Sequence, residues 1–294
     1  MSERWTQRWL FQAGDIWLGE FRCLPGDPAW AQRNRTGDEG PLIALPRTAV
    51  RIAQEGHPVV VCDPTQAVLY PAGQPYRRGI LSADGDRCSF VAMSRTVAAQ
   101  AATGLDASAG DPQAYRFPFP SAPVESEDYL RHQGLRRRAM DDGVDADAIR
   151  ESLYWLVGRV VAAGYRAASG NTPRARPATR RARVETVNAT RARLGADPGA
   201  RLSLDELARL VHQSPFHLSR MFRAHTGTSI HAYRTEVRLR DSLERLLDGQ
   251  PLAGIAADLG FSSQAHFTDR FKQLFGVTPH QWRAGLSRNL EASA

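Results

Sequence analysis

The feature that most constrains the fold of this 294-residue chain is an internal repeat in its C-terminal part. Three apolar positions recur at a spacing of 48 residues and seven further positions recur at 49. A one-residue insertion is tolerated best in a surface turn, so the change of spacing predicts a turn inside each copy. The matched pairs are Leu207/Ile255, Ala208/Ala256, Val211/Leu259, Ser214/Ser263, His217/His266, Leu218/Phe267, Phe222/Phe271, Gly227/Gly276, Tyr233/Trp282 and Arg234/Arg283.

Each copy has the pattern of two helices separated by a short turn. Ser203 and Glu206 have the spacing of a capping box at the start of the first helix. Ser214 is placed as the N-cap of the second helix. Glycine follows the second helix of each copy, at Gly227 and Gly276. A helix, a tight turn and a second helix form the unit that presents its second helix to the DNA major groove.

The second helices have an apolar inner face and a polar outer face. At about 100° per residue, Leu218 and Phe222 share one face, and the second copy has phenylalanines at both places. For His217 and His266, a structural role and a phosphate contact remain alternatives. The candidate DNA-contacting residues, from the caps, outer faces and flanks of these helices, are Ser214, Phe216, His217, Ser219, Arg220, Arg223, Ser263, Gln264, Ala265, Thr268, Asp269, Arg270 and Lys272.

The two outer faces differ in charge at their centres. Arg220 stands at the centre of the first, and arginine donates two hydrogen bonds to guanine O6 and N7. Phe216 is placed to contact a thymine methyl group. The equivalent residue in the second copy is Asp269, which repels phosphate but accepts from cytosine N4. Arg270 and Lys272 are left to hold the DNA backbone, so we expect the second copy to contribute less.

Charge is unevenly distributed along the chain. Residues 1–170 have 19 Arg and Lys against 20 Asp and Glu, whereas residues 171–294 have 19 against 11. The whole positive excess therefore lies in the part that contains the repeat. Such an asymmetry indicates a polyanionic partner.

The C-terminal part resembles the AraC/XylS family of bacterial transcription regulators. The resemblance implies two helix-turn-helix subdomains joined by a long helix at about 230–247. It implies recognition helices that enter successive major-groove segments about one turn (~34 Å) apart. It maps Phe216, Ser219, Arg220, Ala265, Thr268 and Asp269 onto base-contacting positions, although the family more often has arginine where Asp269 stands. The segments that carry it are 204–208, 214–222, 255–261, 263–267, 271–272, 275–279 and 282–283.

Residues 1–124 are predicted to form one β domain, because residues about 5–95 contain short apolar runs between turn residues, for example Pro58–Cys62 and Ser89–Met93. This spacing predicts an antiparallel sandwich or barrel. The region resembles the cupin-like effector domain of the same family, which implies a jelly-roll β-barrel and a small-molecule effector. Only His57 and His132 precede residue 171, so we expect no metal site. We find no catalytic motif, and expect no enzyme activity and no cofactor.

Residues 125–169 are predicted to be helical. Apolar residues recur at three and four from Asp145 to Ala168, and the apolar surface is wider than one face. We favour dimerisation through 145–168, with internal packing against the β domain as the alternative. Proline and glycine mark 170–179 as a linker to a DNA-binding domain at 180–294. The predicted fold is therefore α+β, with a cupin-like β domain, a helical region and an all-α domain.

The N-terminus has no long apolar run, and we expect neither a signal peptide nor a membrane span, hence a cytoplasmic protein. Cys23, Cys62 and Cys88 form no metal-binding or disulfide pattern. The leading interpretation is an effector-controlled transcription activator that binds promoter DNA. The family resemblance adds RNA polymerase as a partner. The alternatives are a regulator that senses oxidants or thiophilic metals through the cysteines, and a repair enzyme tethered by its DNA-binding module.

Overall fold

The structure, a computed structural model, describes residues 6–141, 145–169 and 177–291. The turn-punctuated N-terminal part forms ten short strands in the described residues. All of their pairings are antiparallel. The strands are β1 (Gln7–Ala13), β2 (Ile16–Cys23), β3 (Asn34–Arg35), β4 (Leu42–Pro46), β5 (Val50–Gln54), β6 (Val60–Cys62), β7 (Gln66–Tyr70), β8 (Pro75–Ile80), β9 (Asp86–Met93) and β10 (Ser121–Pro123).

The strands form two sheets, one ordered β1-β2-β9-β4-β7-β10 and the other β3-β8-β5-β6. Alternation along β4 and β7 sends Ala44, Val68 and Tyr70 toward the smaller sheet, where they pack with Val50 and other apolar residues. The opposite residues of these strands pack against helices. The described pairings leave both sheets open. The predicted β-rich domain is confirmed as a two-layer sandwich, and not as a closed barrel.

Ten helices account for most of the rest of the described chain. The first lies inside the β-rich region, and Ser94 caps it by accepting from the backbone N–H of Val97. The helix predicted at 230–247 is α7. The helices are α1 (Arg95–Ala101), α2 (Ser126–Arg138), α3 (Ala146–Ser169), α4 (Pro177–Ala196), α5 (Leu204–Leu210), α6 (Pro215–Thr226), α7 (Ile230–Leu247), α8 (Leu252–Asp258), α9 (Gln264–Phe275) and α10 (Pro279–Glu291).

The predicted linker is only partly within the described chain. Helix α4 begins at Pro177, so the last residues of the 170–179 segment are helical. Proline is favoured in the first turn of a helix, where its missing N–H has no intrahelical acceptor. Residues 170–176 lie outside the described residues.

Helix α3 buries a wide apolar face within the chain. Its buried residues include Leu153, Val157 and Val160, and the helix packs on β10, α1 and α2. This contact accounts for one side of the broad apolar surface, as in the internal-packing alternative. On the outer side, Tyr154 and Trp155 remain 38% and 39% exposed. The homodimer stays a prediction.

The two helix-turn-helix units differ in how their cores are built. The first has a core of its own, in which residues of α4 to α7 such as Val187, Phe222 and Val237 are buried together. The core of the second unit, with Phe267 and Phe271, is continuous with the apolar core of the N-terminal part. Helix α7 takes part in both cores, so it connects the units.

Polar contacts fix α7 against the sheets. The Arg240 side chain is 2% exposed and donates to the carbonyls of Pro64 and Val124, each at 2.6 Å. The hydroxyl of Tyr233 donates to Asp63 at 2.6 Å. Buried polar groups of this kind require partners, so these contacts define one orientation of α7 against the β domain. Within the described residues, no helix combines the length and apolarity needed to cross a bilayer.

Candidate nucleic-acid interface

Local sequence signals define both ends of the helices that form the interface. Ser203 and Glu206 make the predicted capping box at the start of α5. The hydroxyl of Ser214 accepts from the N–H of His217 at 3.3 Å and caps α6. Helix α6 then ends at Gly227, which has φ +76°. Glycine adopts this left-handed conformation without a Cβ clash.

The same backbone conformation recurs in the turn of each unit. His212 has φ +53° between α5 and α6, and Gly260 has φ +70° between α8 and α9. These residues occupy equivalent positions of the repeat, 48 residues apart. The left-handed residue gives both turns their sharp reversal. One copy accomplishes it with glycine and the other with a histidine, which tolerates this region better than most side chains.

Both second helices bury the predicted inner face and expose the predicted outer face. Leu218, Phe222, Phe267 and Phe271 are 0% exposed. Of the candidate contact residues, Ser219, Thr268 and Arg270 are half-buried and the other ten are exposed. The candidates are therefore displayed on two solvent-facing surfaces, on α6 and on α9.

The α6 surface combines a cation with an exposed aromatic ring. The Phe216 ring is 72% exposed, which is unusual for an apolar side chain of this size. The Arg220 guanidinium lies 5.5 Å from its centroid. The two groups stand next to each other at the N-terminal half of the helix. Together they present hydrogen-bond donors and an apolar surface, the two features that distinguish base edges in the major groove.

The α9 surface is less cationic. Asp269 is exposed at its centre, and Lys272 is exposed one turn later. The Arg270 guanidinium donates to Oε1 of Gln273 at 2.7 Å, which holds it on the flank. Nδ1 of His266 lies 3.0 Å from the hydroxyl of Ser262. The smaller contribution expected of the second unit to DNA binding stays a prediction.

One residue that holds the two units together was not predicted from the sequence. Arg238 on α7 donates from Nε to the carbonyl of Pro198 at 2.7 Å, and from Nη2 to that of Ala200 at 3.0 Å. Its Nη1 donates to the carbonyl of Gly260 at 3.3 Å. Arg238 therefore ties the segment before the first unit to the turn of the second. Its acceptors are backbone groups, so no residue-type pattern in the sequence identifies this role.

The three cysteines lie away from the surface. Cys23, Cys62 and Cys88 are all free thiols and all buried. Burial raises the pKa of Cys23 to about 11, and raises the pKa of Cys62 and Cys88 as well. The thiolate is the reactive and metal-binding form, so the burial that raises these pKa values suppresses both chemistries.

Comparison with known proteins places the similarity in the two units. A family model described as a helix-turn-helix domain matches residues 207–285. The HTH-type transcriptional regulator GlxA of Rhizobium meliloti is 48% identical over 79 residues, which are 26% of this chain and 24% of GlxA. The multiple antibiotic resistance protein MarA of Salmonella typhimurium is 34% identical over 83 residues, 28% of this chain and 65% of MarA. The chain thus spans less than two thirds of the length of either relative.

One solved structure shares a short segment of similarity with this chain. It is a transcriptional regulator from Chromobacterium violaceum described as containing an AraC-type DNA-binding domain. It is 28% identical with a TM-score of 0.34, and the match covers 35% of this chain and 94% of that one.

Two capped helix-turn-helix units with solvent-facing second helices define a DNA-binding module of the helix-turn-helix class. The matched segment contains both units, from the middle of α5 into α10. The C-terminal part of this chain thus contains a helix-turn-helix DNA-binding domain similar to those of GlxA and MarA.

Proposed function

We propose that this protein is a transcription regulator that reads promoter DNA mainly through α6. The observation that carries the proposal is the pairing of exposed Arg220 with exposed Phe216 on that helix. A guanidinium and an apolar ring at the centre of a recognition helix suit a G·C pair and a neighbouring thymine. Asp269 leaves the α9 surface as a weaker, backbone-holding contact.

The N-terminal part is proposed as the regulatory half. Its sandwich, together with α2 and α3, packs directly on the core of the second unit. A small molecule bound there would act on the DNA-binding domain through that contact. Following the family resemblance, we propose that the protein is a cytoplasmic activator and contacts RNA polymerase when bound at its promoter.

A homodimer through 145–168 is part of the proposal. The solvent-facing side of α3 carries Glu151, Tyr154, Gly158 and Ala162 at helical spacing. A Cβ at Gly158 would meet no atom within 4 Å, so the space outside this residue is open to a second helix. Sedimentation velocity at several concentrations tests this point. A single monomeric species for both the wild type and Gly158→Arg would contradict it.

The cysteine-sensing and repair-enzyme alternatives are not favoured. Both need a thiolate that reaches a metal, an oxidant or an alkyl group. Burial of Cys62 and Cys88, at 0% and 8% exposed, works against such access. An unchanged promoter response after replacement of all three cysteines by alanine is the expected result. Loss of the promoter response would instead support the hypothesis that the cysteines sense an oxidant or a metal.

Selection of DNA duplexes from a random library by the full chain tests the proposed function. We expect enrichment of one sequence motif, bound much more tightly than random duplex at the same salt concentration. Arg220→Ala should weaken binding to the selected motif. Arg51→Ala, which removes an exposed arginine of the β domain, is the matched control for net charge. Recovery of unenriched sequences would contradict the proposal.

A further inference from the structure

A cleft separates the helical region of the N-terminal part from the last helix of the DNA-binding domain. It has a volume of about 540 Å³ and lies between α2, α3, and the segment that runs from Val277 into α10. Sites for small organic ligands have volumes of about 300–1,000 Å³. Apolar side chains form much of its wall: Leu130, Leu135, Trp155, Leu156, Val277 and Trp282.

Three nitrogen atoms of the wall are buried without a hydrogen-bond partner among the described residues. They are Nδ1 of His132, Nε of Arg138 and Nε1 of Trp282. Buried polar atoms are nearly always satisfied in native proteins, so three exceptions around one cleft require an explanation. His132 is 1% exposed, and its Nε2 is already engaged with the Ser89 hydroxyl at 2.5 Å.

The unpartnered atoms have the chemistry of donors. Trp282 Nε1 and Arg138 Nε always carry a hydrogen. Burial, with Arg136 and Arg47 nearby, lowers the pKa of His132 to about 3, so its ring is neutral. When the Ser89 hydroxyl donates to Nε2, Nδ1 carries the ring hydrogen and becomes a third donor. A ligand that satisfies this set must bring acceptors.

The charged side chains in the wall of the cleft are Arg131, Arg138 and Glu151. Arg131 is paired with Glu127 at 2.7 Å and lies over the Trp155 ring at 4.7 Å. Glu151 is the carboxylate of the wall. Arg138 forms no ion pair within the part of the chain that the structure describes. The wall therefore combines two indole rings with a guanidinium that is left to pair with a ligand.

We propose that this cleft binds a small apolar organic acid, with its ring system against Trp155 and Trp282 and its carboxylate at Arg138. The inference rests on the proposed function, since it gives that regulator an effector site. It differs from the expected site inside the sandwich, where Val50, Tyr70, Phe90 and their neighbours fill the space between the sheets. A ligand in the cleft contacts α2, α3 and α10 at once, and so joins the regulatory part to the second helix-turn-helix unit.

The architecture of the cleft depends on close contact between its two sides. Gly134 of α2 faces Trp282 of α10, and a Cβ at residue 134 would lie 3.1 Å from Cη2 of the indole. The two sides thus meet at one edge of the cleft. A change in the spacing of α2 and α10 on ligand binding would be transmitted to α9, because α10 also packs on α9.

A calorimetric titration of the full chain with 2-naphthoate tests the proposal. The matched probe is 2-naphthylmethylammonium, which has the same rings and the opposite charge. We expect saturable binding of naphthoate at concentrations up to about 1 mM, and at least about tenfold weaker binding of the cation. Absence of saturable naphthoate binding, or equal binding of the two probes, would overturn the assignment.

Two variants test where the carboxylate of bound naphthoate lies in the cleft. Arg138→Gln should weaken naphthoate binding at least about tenfold, and Trp282→Phe, which keeps a ring but removes Nε1–H, about threefold or more. Arg137→Gln, one residue outside the wall, should stay within about twofold of the wild type. Unchanged affinity in both wall variants, with melting curves like the wild type, would overturn the proposal. DNA binding by the same samples separates the two hypotheses, because loss of naphthoate binding with intact DNA binding contradicts only the cleft assignment.

Discussion

Arg47, the residue directly after strand β4, forms an ion pair of 2.6 Å with Glu244 of helix α7. The two residues come from opposite ends of the chain and meet in the interface between the sandwich and the DNA-binding domain. Arg87 of β9 pairs with the same carboxylate at 2.5 Å. Together with Arg240 and Tyr233, this pair makes α7 the element that connects the sandwich to the DNA-binding domain.

Removal of the Glu244 charge is expected to destabilise the protein. Glu244→Gln leaves Arg47, which is 7% exposed, with a single longer contact to Glu20 at 3.4 Å. Breaking a buried pair from one side leaves an uncompensated charge, and we expect a loss of about 2–4 kcal/mol in the free energy of unfolding. Urea unfolding followed by circular dichroism measures it. Glu185→Gln, which breaks an exposed pair with Arg181, is the control and should leave the midpoint nearly unchanged. Equal effects of the two substitutions would contradict the role of Glu244.

Stability should also depend on pH through His132. Burial, reinforced by Arg136 and Arg47, lowers its pKa to about 3 in the folded protein, against an ordinary value of 6.5 for histidine. Between these values the unfolded chain binds a proton that the folded chain excludes. Stability is therefore lost as the pH falls below about 6.5, by up to about 1.4 kcal/mol per pH unit from this one group.

Comparison with His132→Asn isolates that contribution. Between about pH 6.5 and 5 the wild type should lose stability more steeply than the variant. This window lies above the ordinary glutamate pKa of 4.5, which applies to Glu20 and Glu244. The arginines around those carboxylates outweigh burial and lower their pKa, so they act at more acidic pH. Parallel curves for the wild type and the variant would show that His132 titrates alike in both states.

Structural elements with local sequence signals could be predicted from the sequence. Contacts between residues that are far apart in the sequence could not. The capping box at Ser203 and the glycine at the end of α6 act within one or two turns of helix, and both were found in the structure. Arg240 looks like a surface arginine of an amphipathic helix. It is buried because its acceptors, the carbonyls of Pro64 and Val124, come from distant loops. No spacing along one chain encodes such a meeting.

The wide apolar surface of α3 shows the same limit. Periodicity predicted the helix and its breadth, but it does not say what covers each side. The structure places the inner side on β10, α1 and α2. The cleft is hidden for a similar reason, since Arg138 and Trp282 are far apart in the sequence and belong to different helices.

The equivalent turn residues His212 and Gly260 should respond in opposite ways to substitution. Gly260→Ala places a Cβ at φ +70° and 2.9 Å from the carbonyl oxygen of Gly199. We expect it to destabilise the protein by about 1–3 kcal/mol. His212→Gly removes the Cβ from a left-handed position. Its free energy of unfolding should be within about 1 kcal/mol of the wild-type value, or higher. Thermal unfolding measures both. A stabilising Gly260→Ala would contradict the account of the turns.

Asp269 should weaken the binding of the second unit to DNA without contributing to base specificity. Its exposed carboxylate repels phosphate at the centre of the α9 surface. We expect Asp269→Ala to keep affinity for the selected motif within about twofold, and to strengthen binding to random duplex. Electrophoretic mobility shifts at two salt concentrations measure both affinities. A large loss of specific binding would show instead that Asp269 reads a base.

The account depends most on Arg220, and a base-pair substitution scan tests it most directly. The affinities of the wild type and Arg220→Ala are measured for the selected duplex and for a set in which each pair is changed in turn. We predict that the wild type discriminates at one G·C pair by about 1–3 kcal/mol, and that Arg220→Ala loses this preference while it keeps the others. An Arg220→Ala protein that binds every duplex more weakly by the same factor would contradict base reading and make Arg220 a phosphate contact.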